Sequence, residues 1–545
     1  MEQTDLIILN GSVLTMDDRS DRSEAVAIRN GRIRAIGSSD ELARLRSATT
    51  EVIDARGATV MPGIIDAHNH VRLGANPEAI SLFGATSLEE IREAISAHLV
   101  LHPDVSWIEA EGWNYAAVPG GTPTAAMIDD VCQGKPAWIF SYDVHTVWMN
   151  SEGLRRWNVT AENAVLPFGR AEIGTDGEPT GWIHDFAVMG IHPQGERALV
   201  NVLPGYAREA QYQRTVVNLR DAARFGLTTI VEPQNGIDDI ALFERAHGEG
   251  ELKAQLIAAM IFTPESTAGS LDEIDAYIKA YSHERITVGP IKLYIDDVIE
   301  PHTAAMLEPY ANDPGIGSTF WPAEDFGALI VELESRGLQA FVHGTGDRGI
   351  RTALDGFALG RKINNSTDTR HQIVHVECLH ADDVARFGEL GVVACMQPRH
   401  CAPDIVQEWR ENVGAERERY AWAMRSLFET GAPVAFSSDW NVAEMDPLIG
   451  LYSAITRADL DGNGAWNTHE TVSLETALRA YTAGSAWANF LENETGSLEV
   501  GKRADVVVFD RDLTAISNPS DLLEATVAQT ISNGDVVYVA EGGSA

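Results

Sequence analysis

Cysteine and lysine are the scarce residues of this 545-residue chain. The four cysteines, Cys132, Cys378, Cys395 and Cys401, form no Cys-x-x-Cys pair. A chain this long does not need disulfide staples, so they are expected to be small buried apolar residues in a reduced, cytoplasmic setting. Positive charge is short as well: 41 Lys and Arg stand against 80 Asp and Glu, a formal charge of −39. Such a surface repels phosphate backbones and anionic bilayers, which excludes nucleic acid and membrane surfaces as expected partners. No apolar run is long enough to span a membrane. The opening "MEQTDLIILNGSVLTMDD" lacks the basic segment and long apolar stretch of a signal peptide. Hydrophobic residues still make up 44% of the chain, enough for packed cores.

Two β-rich ends flank a long middle. "DLIILNGSVLTM", "AVAIRNGRIRAIG" and "VAQTISNGDVVYVA" are apolar runs with Asn-Gly inside. Asn-Gly between apolar runs signals a hairpin, because both residues tolerate positive φ. The ends are expected to form one small β-sandwich, from residues 1–60 and 491–545. Between them, strand candidates alternate with amphipathic helices: "TVMPGIIDAH", "LTTIVEP", "QLIAAMIF", "PIKLYID", "QAFVHG", "HQIVHVE", "VVACMQP" and "PVAFSSD". Eight buried strands, most followed by a helix, describe an α/β fold, a (β/α)8 TIM-type barrel over residues 61–490. The long stretch after the first strand, about 75–215, reads as an inserted subdomain.

The strand ends carry the chemistry. The first finishes in His68-Asn69-His70. Residues i and i+2 of a strand point the same way, so both imidazoles can face one ion. Lys292, His343, His375 and Asp439 lie at or near the ends of the fourth, fifth, sixth and eighth strands. In a barrel these ends converge at the mouth where active sites are built. Four histidines, a lysine and an aspartate there make a nitrogen and oxygen site, with zinc the default ion and manganese, iron or nickel the alternatives. Taken singly, each has a plainer reading. A buried histidine is usually a hydrogen-bonded core residue, and a strand lysine can snorkel to the rim. Their order on five of the eight barrel strands is what argues against coincidence.

These motifs resemble the amidohydrolase superfamily of metal-dependent hydrolases. Within it they are similar to the YtcJ-like, or amidohydrolase-3, branch, which includes N-substituted formamide deformylases. The resemblance runs over nearly the whole chain through "GRIRAIG", "VMPGIIDAHNH", "DVHTVWMNS", "GEPTG", "GLTTI", "IKLYIDD", "VHGTGDR", "VVACMQP", "AFSSDW" and "GSLEVGKRADVVVFD". It implies that His68 and His70 bind one metal. It implies that Lys292 is carboxylated by carbon dioxide and bridges two divalent ions as a carbamate. His343 and His375 would bind the second ion, and Asp439 would bind the first and act as general base. The implied reaction is hydrolysis of a C–N bond in an amide, formamide or carbamate of a small, apolar-substituted molecule, by attack of a metal-activated hydroxide. His145 in the insert is expected to steady the oxyanion, or else to make a structural bond with Asp143, which would also fix its tautomer. A homodimer is expected by the same analogy.

The chain departs from the branch in places. The usual Asp-Gly-Ser-Leu-Gly-Ser-Arg-Thr-Ala after the lysine strand is replaced by residues 296–304, "DDVIEPHTA", which puts His302 where an arginine is usual. The usual Glu-His-Ala-Gln is Val374-His375-Val376-Glu377. Glu300, His302 and Glu377 are therefore candidate specificity residues, with neutral rim changes as the alternative. Trp113 and Trp440 are candidate walls of an apolar substrate pocket, with core packing as the alternative. A cyclic amide, an ester, deamination of an imine carbon, and a catalytically silent metal-binding scaffold remain as rival readings.

Overall fold

Eight parallel strands carry the middle of the chain, in a computed structural model that describes residues 4–17, 22–74, 76, 78–166, 169–184, 187, 191–194 and 197–541. They are β1 (Ile64–Asp66), β2 (Leu227–Asn235), β3 (Gln255–Ile261), β4 (Ile286–Tyr294), β5 (Ala340–Gly344), β6 (Gln372–His375), β7 (Val393–Met396) and β8 (Val434–Phe436). Each pairs with the next in sequence order, from β1 to β8. Their continuous apolar character follows from burial on both faces. The backbone brings the two ends of the sheet together. Ala67 N donates to Phe436 O at 3.4 Å, Asp439 N to His68 O at 2.8 Å and His70 N to Trp440 O at 2.6 Å. These three bonds nearly close the barrel and fasten the chain after β1 to the chain after β8. Ala67, Val231, Ile257, Ala259, Phe341, Val374, Val393, Cys395 and Ala435 share one buried cluster, the packed interior expected of a barrel.

Helices separate most of the strands. Among them are α1 (Ile240–Gly248), α2 (Ala268–Ala280), α3 (Ala323–Arg336), α4 (Asp347–Asn364) and α5 (Ala381–Leu390). Helix α3 stops at Gly337 and α5 at Gly391, both left-handed, as glycine allows at a helix end.

The chain divides into two compact units, Met1–Val71 with Val216–Ala545, and Arg72–Thr215. The first unit holds the barrel and two further sheets. One has the order Arg32–Gly37, Ala25–Arg29, Leu6–Leu9, Glu51–Asp54. The other draws on both chain ends: Asp535–Val539, Val527–Ser532, Val506–Phe509, Thr59–Pro62, Ser12–Leu14, Arg22–Ser23. Leu6, Ile8, Val26 and Ile28 of the first sheet share a cluster with Val60, Val506, Val508 and Ile531 of the second. The second unit has its own seven-stranded sheet, running from Val165–Leu166 to Ile80–Ser81.

Two local expectations are corrected. "TVMPGIIDAH" is not one strand. Thr59–Pro62 belongs to the sheet of the chain ends, and β1 begins after Gly63. A side chain at Gly63 would collide with Thr228, so glycine there lets the chain pass from one sheet to the other. Asn10-Gly11 does not close a hairpin either: Asn10 alone takes positive φ (56°), and its flanking strands lie in different sheets. Asn30-Gly31 and Asn533-Gly534 do turn hairpins, with positive φ at both residues. The four cysteines are all free and buried.

Candidate metal centre

The chain segments just beyond β1 and β8 meet around one carboxylate. Asp439 Oδ1 lies 3.2 Å from His68 Nε2 and 3.2 Å from His70 Nε2. The other oxygen, Oδ2, lies 3.7 Å from His375 Nδ1 and 3.8 Å from His400 Nε2. The rings of His68 and His375 are 5.4 Å apart, and those of His343 and His375 are 4.5 Å apart. Lys292, at 1% exposure, places Nζ 4.6 Å from the ring centre of Tyr294 and 5.3 Å from that of Phe341. So the structure brings His68, His70, His343, His375, Lys292 and Asp439 together at the C-terminal end of the barrel.

A buried scaffold holds this arrangement. Asp66, the last residue of β1, accepts hydrogen bonds from Ser438 N (3.0 Å), Ser438 Oγ (2.6 Å) and Asn69 Nδ2 (2.9 Å). It thereby links the His68–His70 segment to the Asp439 segment. His375 Nδ1 pairs with Gln397 Oε1 at 2.9 Å, and Gln397 Nε2 donates to Ser437 Oγ at 2.8 Å. The amide thus presents its oxygen to the imidazole, which makes Nδ1 the donor and leaves Nε2 with a lone pair. His343 Nε2 donates to the carbonyl of Asp297 at 3.1 Å. Asp439, His375 and Val376 all have positive φ, at 56°, 79° and 52°. Three non-glycine residues in this region at one site mark backbone held in place by its surroundings.

Protonation suits a cation. Burial lowers His68 to about 3, and burial followed by the neighbouring His343 lowers His375 well below the usual imidazole range. Burial alone would raise the Asp439 carboxyl, but the imidazoles of His68, His70 and His375 hold it well below the usual carboxylate range. Neutral imidazoles around an ionised carboxylate are the ligand forms a divalent ion takes. One ligand atom from each of His68, His70 and Asp439 lies within 4.8 Å of the others, and so does one from each of His375, Glu377 and His400. Burial also pushes the Lys292 ammonium down to about 8.

The profile of the amidohydrolase family matches residues 51–538. The chain belongs to that family. It is 28% identical to protein LONG AFTER FAR-RED 3 of Arabidopsis thaliana, over 98% of this chain and 91% of that one. It is 26% identical to the N-substituted formamide deformylase of Arthrobacter pascens, over 99% of both chains. An uncharacterized metal-dependent hydrolase of Pyrococcus furiosus shares its fold with a TM-score of 0.70 at 23% identity, over 93% of this chain and 99% of that one. This amidohydrolase is a hydrolase with candidate metal-ligand groups at its barrel mouth. Among its described residues no helix is long and apolar enough to cross a membrane.

Other expected site residues of the amidohydrolase lie in varied surroundings. Trp113 is fully buried in the core of the second unit, against Tyr115 and Trp148. This corrects its reading as a pocket wall: an indole enclosed by its own subdomain has no face left for substrate. His145, in the same unit, is partly buried, and its backbone N–H donates to Asp143 Oδ1 at 3.1 Å. Asp143 also accepts from Tyr115 OH at 3.0 Å and from Ser141 Oγ. His302 is partly exposed, with Nε2 2.9 Å from Asn312 Oδ1 and its ring edge-on to Tyr310. Glu300 is partly exposed and acts electrostatically on the buried Glu377. Trp440 is partly buried beside Asp439, its backbone N–H donating to Ser438 Oγ at 3.0 Å. The sequence reading missed His400, Gln397 and Asp66. The first two follow β7 in "MQPRHC", a run whose strand was recognised but whose polar residues were not.

Proposed function

We propose that this amidohydrolase cleaves the C–N bond of an amide, formamide or carbamate of a small, apolar-substituted molecule. One divalent ion, zinc by default, is held by His68, His70 and Asp439. The observation that carries this reading is the meeting of two imidazoles, that of His68 held neutral, and one ionised carboxylate in a buried, cross-braced site. The full-length similarity to an N-substituted formamide deformylase supports the choice of bond.

A divalent ion there supplies Lewis acidity towards a carbonyl and lowers the pKa of a water. The protein supplies the rest. Asp439 Oδ1 faces His68 and His70, which leaves Oδ2 as the oxygen that accepts a proton and passes it to the leaving nitrogen. Asp66 keeps the segments of both ligand sets in register through Ser438 and Asn69. The lowered pKa of Lys292 raises its share of free amine, the form that adds carbon dioxide, so a carbamate on Lys292 is part of this reading. Trp440, next in sequence to Asp439 and partly buried, is the aromatic this reading assigns to an apolar substituent.

The test is formate release from an N-alkylformamide by zinc-loaded protein, run beside a panel of amides, carbamates and aryl esters. Turnover of the formamide or an amide is expected. Inertness to every amide together with cleavage of an aryl ester would remove the C–N assignment.

A further inference from the structure

The proposed reaction leaves one buried imidazole at the barrel mouth without a task. His375 and His343 are each bound to a polar neighbour, Gln397 and the Asp297 carbonyl. His400 is 7% exposed, and its Nε2 has no hydrogen-bond partner among the described residues. A histidine kept for packing is ordinarily hydrogen-bonded when buried. This nitrogen instead lies 3.8 Å from Asp439 Oδ2, beyond hydrogen-bond range. The turn that carries it, Pro398–Cys401, is held firmly. His400 N donates to Gln397 O at 3.1 Å, and Trp466 Nε1 donates to Cys401 O at 2.6 Å. The neighbouring Arg399 donates to Asp404 at 2.7 and 2.6 Å and, through Nε, to Glu444 at 3.0 Å. Glu444 lies on the chain after β8 that also carries Asp439. Arg399 therefore ties the two segments together and fixes the distance from Nε2 to Oδ2.

We propose that His400 is a catalytic residue, donating Nε2–H to the carbonyl oxygen of the substrate as that oxygen gains negative charge. This rests on the proposed hydrolysis at Asp439. The carboxylate of Asp439 favours the tautomer whose proton sits on the nitrogen facing it, and the 3.8 Å gap leaves that N–H available. The oxygen and nitrogen of an amide are bonded to one carbon, at about 1.23 and 1.33 Å. A leaving nitrogen that reaches Oδ2 for its proton therefore brings its oxygen within range of a donor on the same side. When water adds to the carbonyl carbon, its proton goes to Asp439 and the C=O electron pair moves onto the oxygen that Nε2–H meets. As the C–N bond breaks, the pair returns to the C=O bond and the nitrogen leaves with the proton from Oδ2. His400 keeps its own proton throughout. A donor set in a fixed, buried turn needs no rearrangement when the charge forms. The role expected of His145 passes with this to the turn after β7.

The experiment compares zinc-loaded full-length wild type, His400→Ala and His400→Gln, the last keeping an N–H donor. Bound zinc is counted in each, and kcat and KM are measured on the N-alkylformamide. Methylphosphonate, a stable tetrahedral oxyanion, is titrated into each by calorimetry. His400→Ala is expected to lower kcat about 10²- to 10³-fold with KM and zinc content unchanged, and to weaken methylphosphonate about 10-fold or more. His400→Gln is expected to recover part of both. Equal kcat in wild type and His400→Ala, or loss of zinc from His400→Ala, would overturn the donor and leave the proposed function standing. If the wild type cleaves no amide, methylphosphonate decides. Affinity that depends on His400 keeps the donor and removes the C–N reading, whereas equal affinity or no binding removes both. Should His400→Ala misfold by circular dichroism, wild-type crystals soaked in methylphosphonate take its place. A phosphonate oxygen within hydrogen-bond distance of Nε2 is expected, and one out of its reach overturns the assignment.

Discussion

Asp439 bears the heaviest demand of any residue here, since it is both a ligand and the proton carrier of the proposed reaction. Asp439→Asn keeps the shape and removes the basicity. Its kcat on a substrate found for the wild type is expected to fall about 10²- to 10⁴-fold at full zinc occupancy, with zinc counted in the same samples. Equal rates at equal occupancy would take Asp439 out of proton transfer. Lys292 makes a separate prediction for metal-free, bicarbonate-free protein. Below about pH 8 it is charged in folded and unfolded chains alike, so the cost of burying the charge is present in full. From about 8 to the ordinary 10.5 the unfolded chain holds the proton more tightly, so stability rises with pH across that window. A shift of this size corresponds to about 3 kcal/mol. Urea unfolding of wild type and Lys292→Met at either end of the window checks it, the variant lacking that share of the rise. At this scale the sequence was legible where a strand end dictated direction, as for His68 and His70. It was not legible for His400, which lies in a short turn after β7, because no periodicity reports where a turn aims a side chain. Trp113 misled for the opposite reason: nearness to a motif in sequence says nothing about which core an indole fills.

Elements hold the ligands by filling the space between them. The "GTGDRG" run carries glycines after a strand but no Walker lysine, and its glycines make room for a carboxylate. Asp296 accepts backbone N–H bonds from Ala305 (3.0 Å), Thr345 (3.1 Å) and Gly346 (3.0 Å), pinning the start of α4 to the end of β4. A Cβ at Gly349 would overlap the Asp296 carboxylate. Gly349→Ala is expected to lower stability by about 1–3 kcal/mol, read as a lower denaturant midpoint. Ser438→Ala strips one bond from buried Asp66 and should loosen the β1–β8 junction. Zinc affinity is expected to weaken about 10- to 100-fold in competition with a chromophoric chelator. An unchanged affinity would show that the junction holds without this bond. All eight barrel strands were readable as apolar runs. The error at Thr59–Pro62 arose because an apolar run carries no mark where it changes sheets, apart from one glycine.

At the scale of the whole molecule, the sheet of the chain ends is bonded directly to the strand that leads into the site. Val506–Phe509 pairs antiparallel with Thr59–Pro62, and only Gly63 separates that strand from β1. Deleting residues from 500 onward exposes the apolar edge of Thr59–Pro62 and unmoors β1. The truncated protein is expected to aggregate or to bind no zinc, as judged by light scattering and metal content. A soluble truncation with full zinc content would show that the barrel holds β1 unaided. The pairing of distant ends was legible in the shared Asn-Gly pattern. The division of the strands between two sheets was not, because it depends on which face each strand buries.

The same pairing sets an order in time. During synthesis the histidines just beyond β1 emerge early, whereas Val506–Phe509, the partner of the Thr59–Pro62 strand that leads into β1, leaves the ribosome only after the whole barrel. The nascent chain therefore carries a pair of candidate metal-ligating imidazoles through hundreds of residues of elongation before that anchoring sheet can close. In the proposed reaction, metal capture therefore belongs to the finished chain.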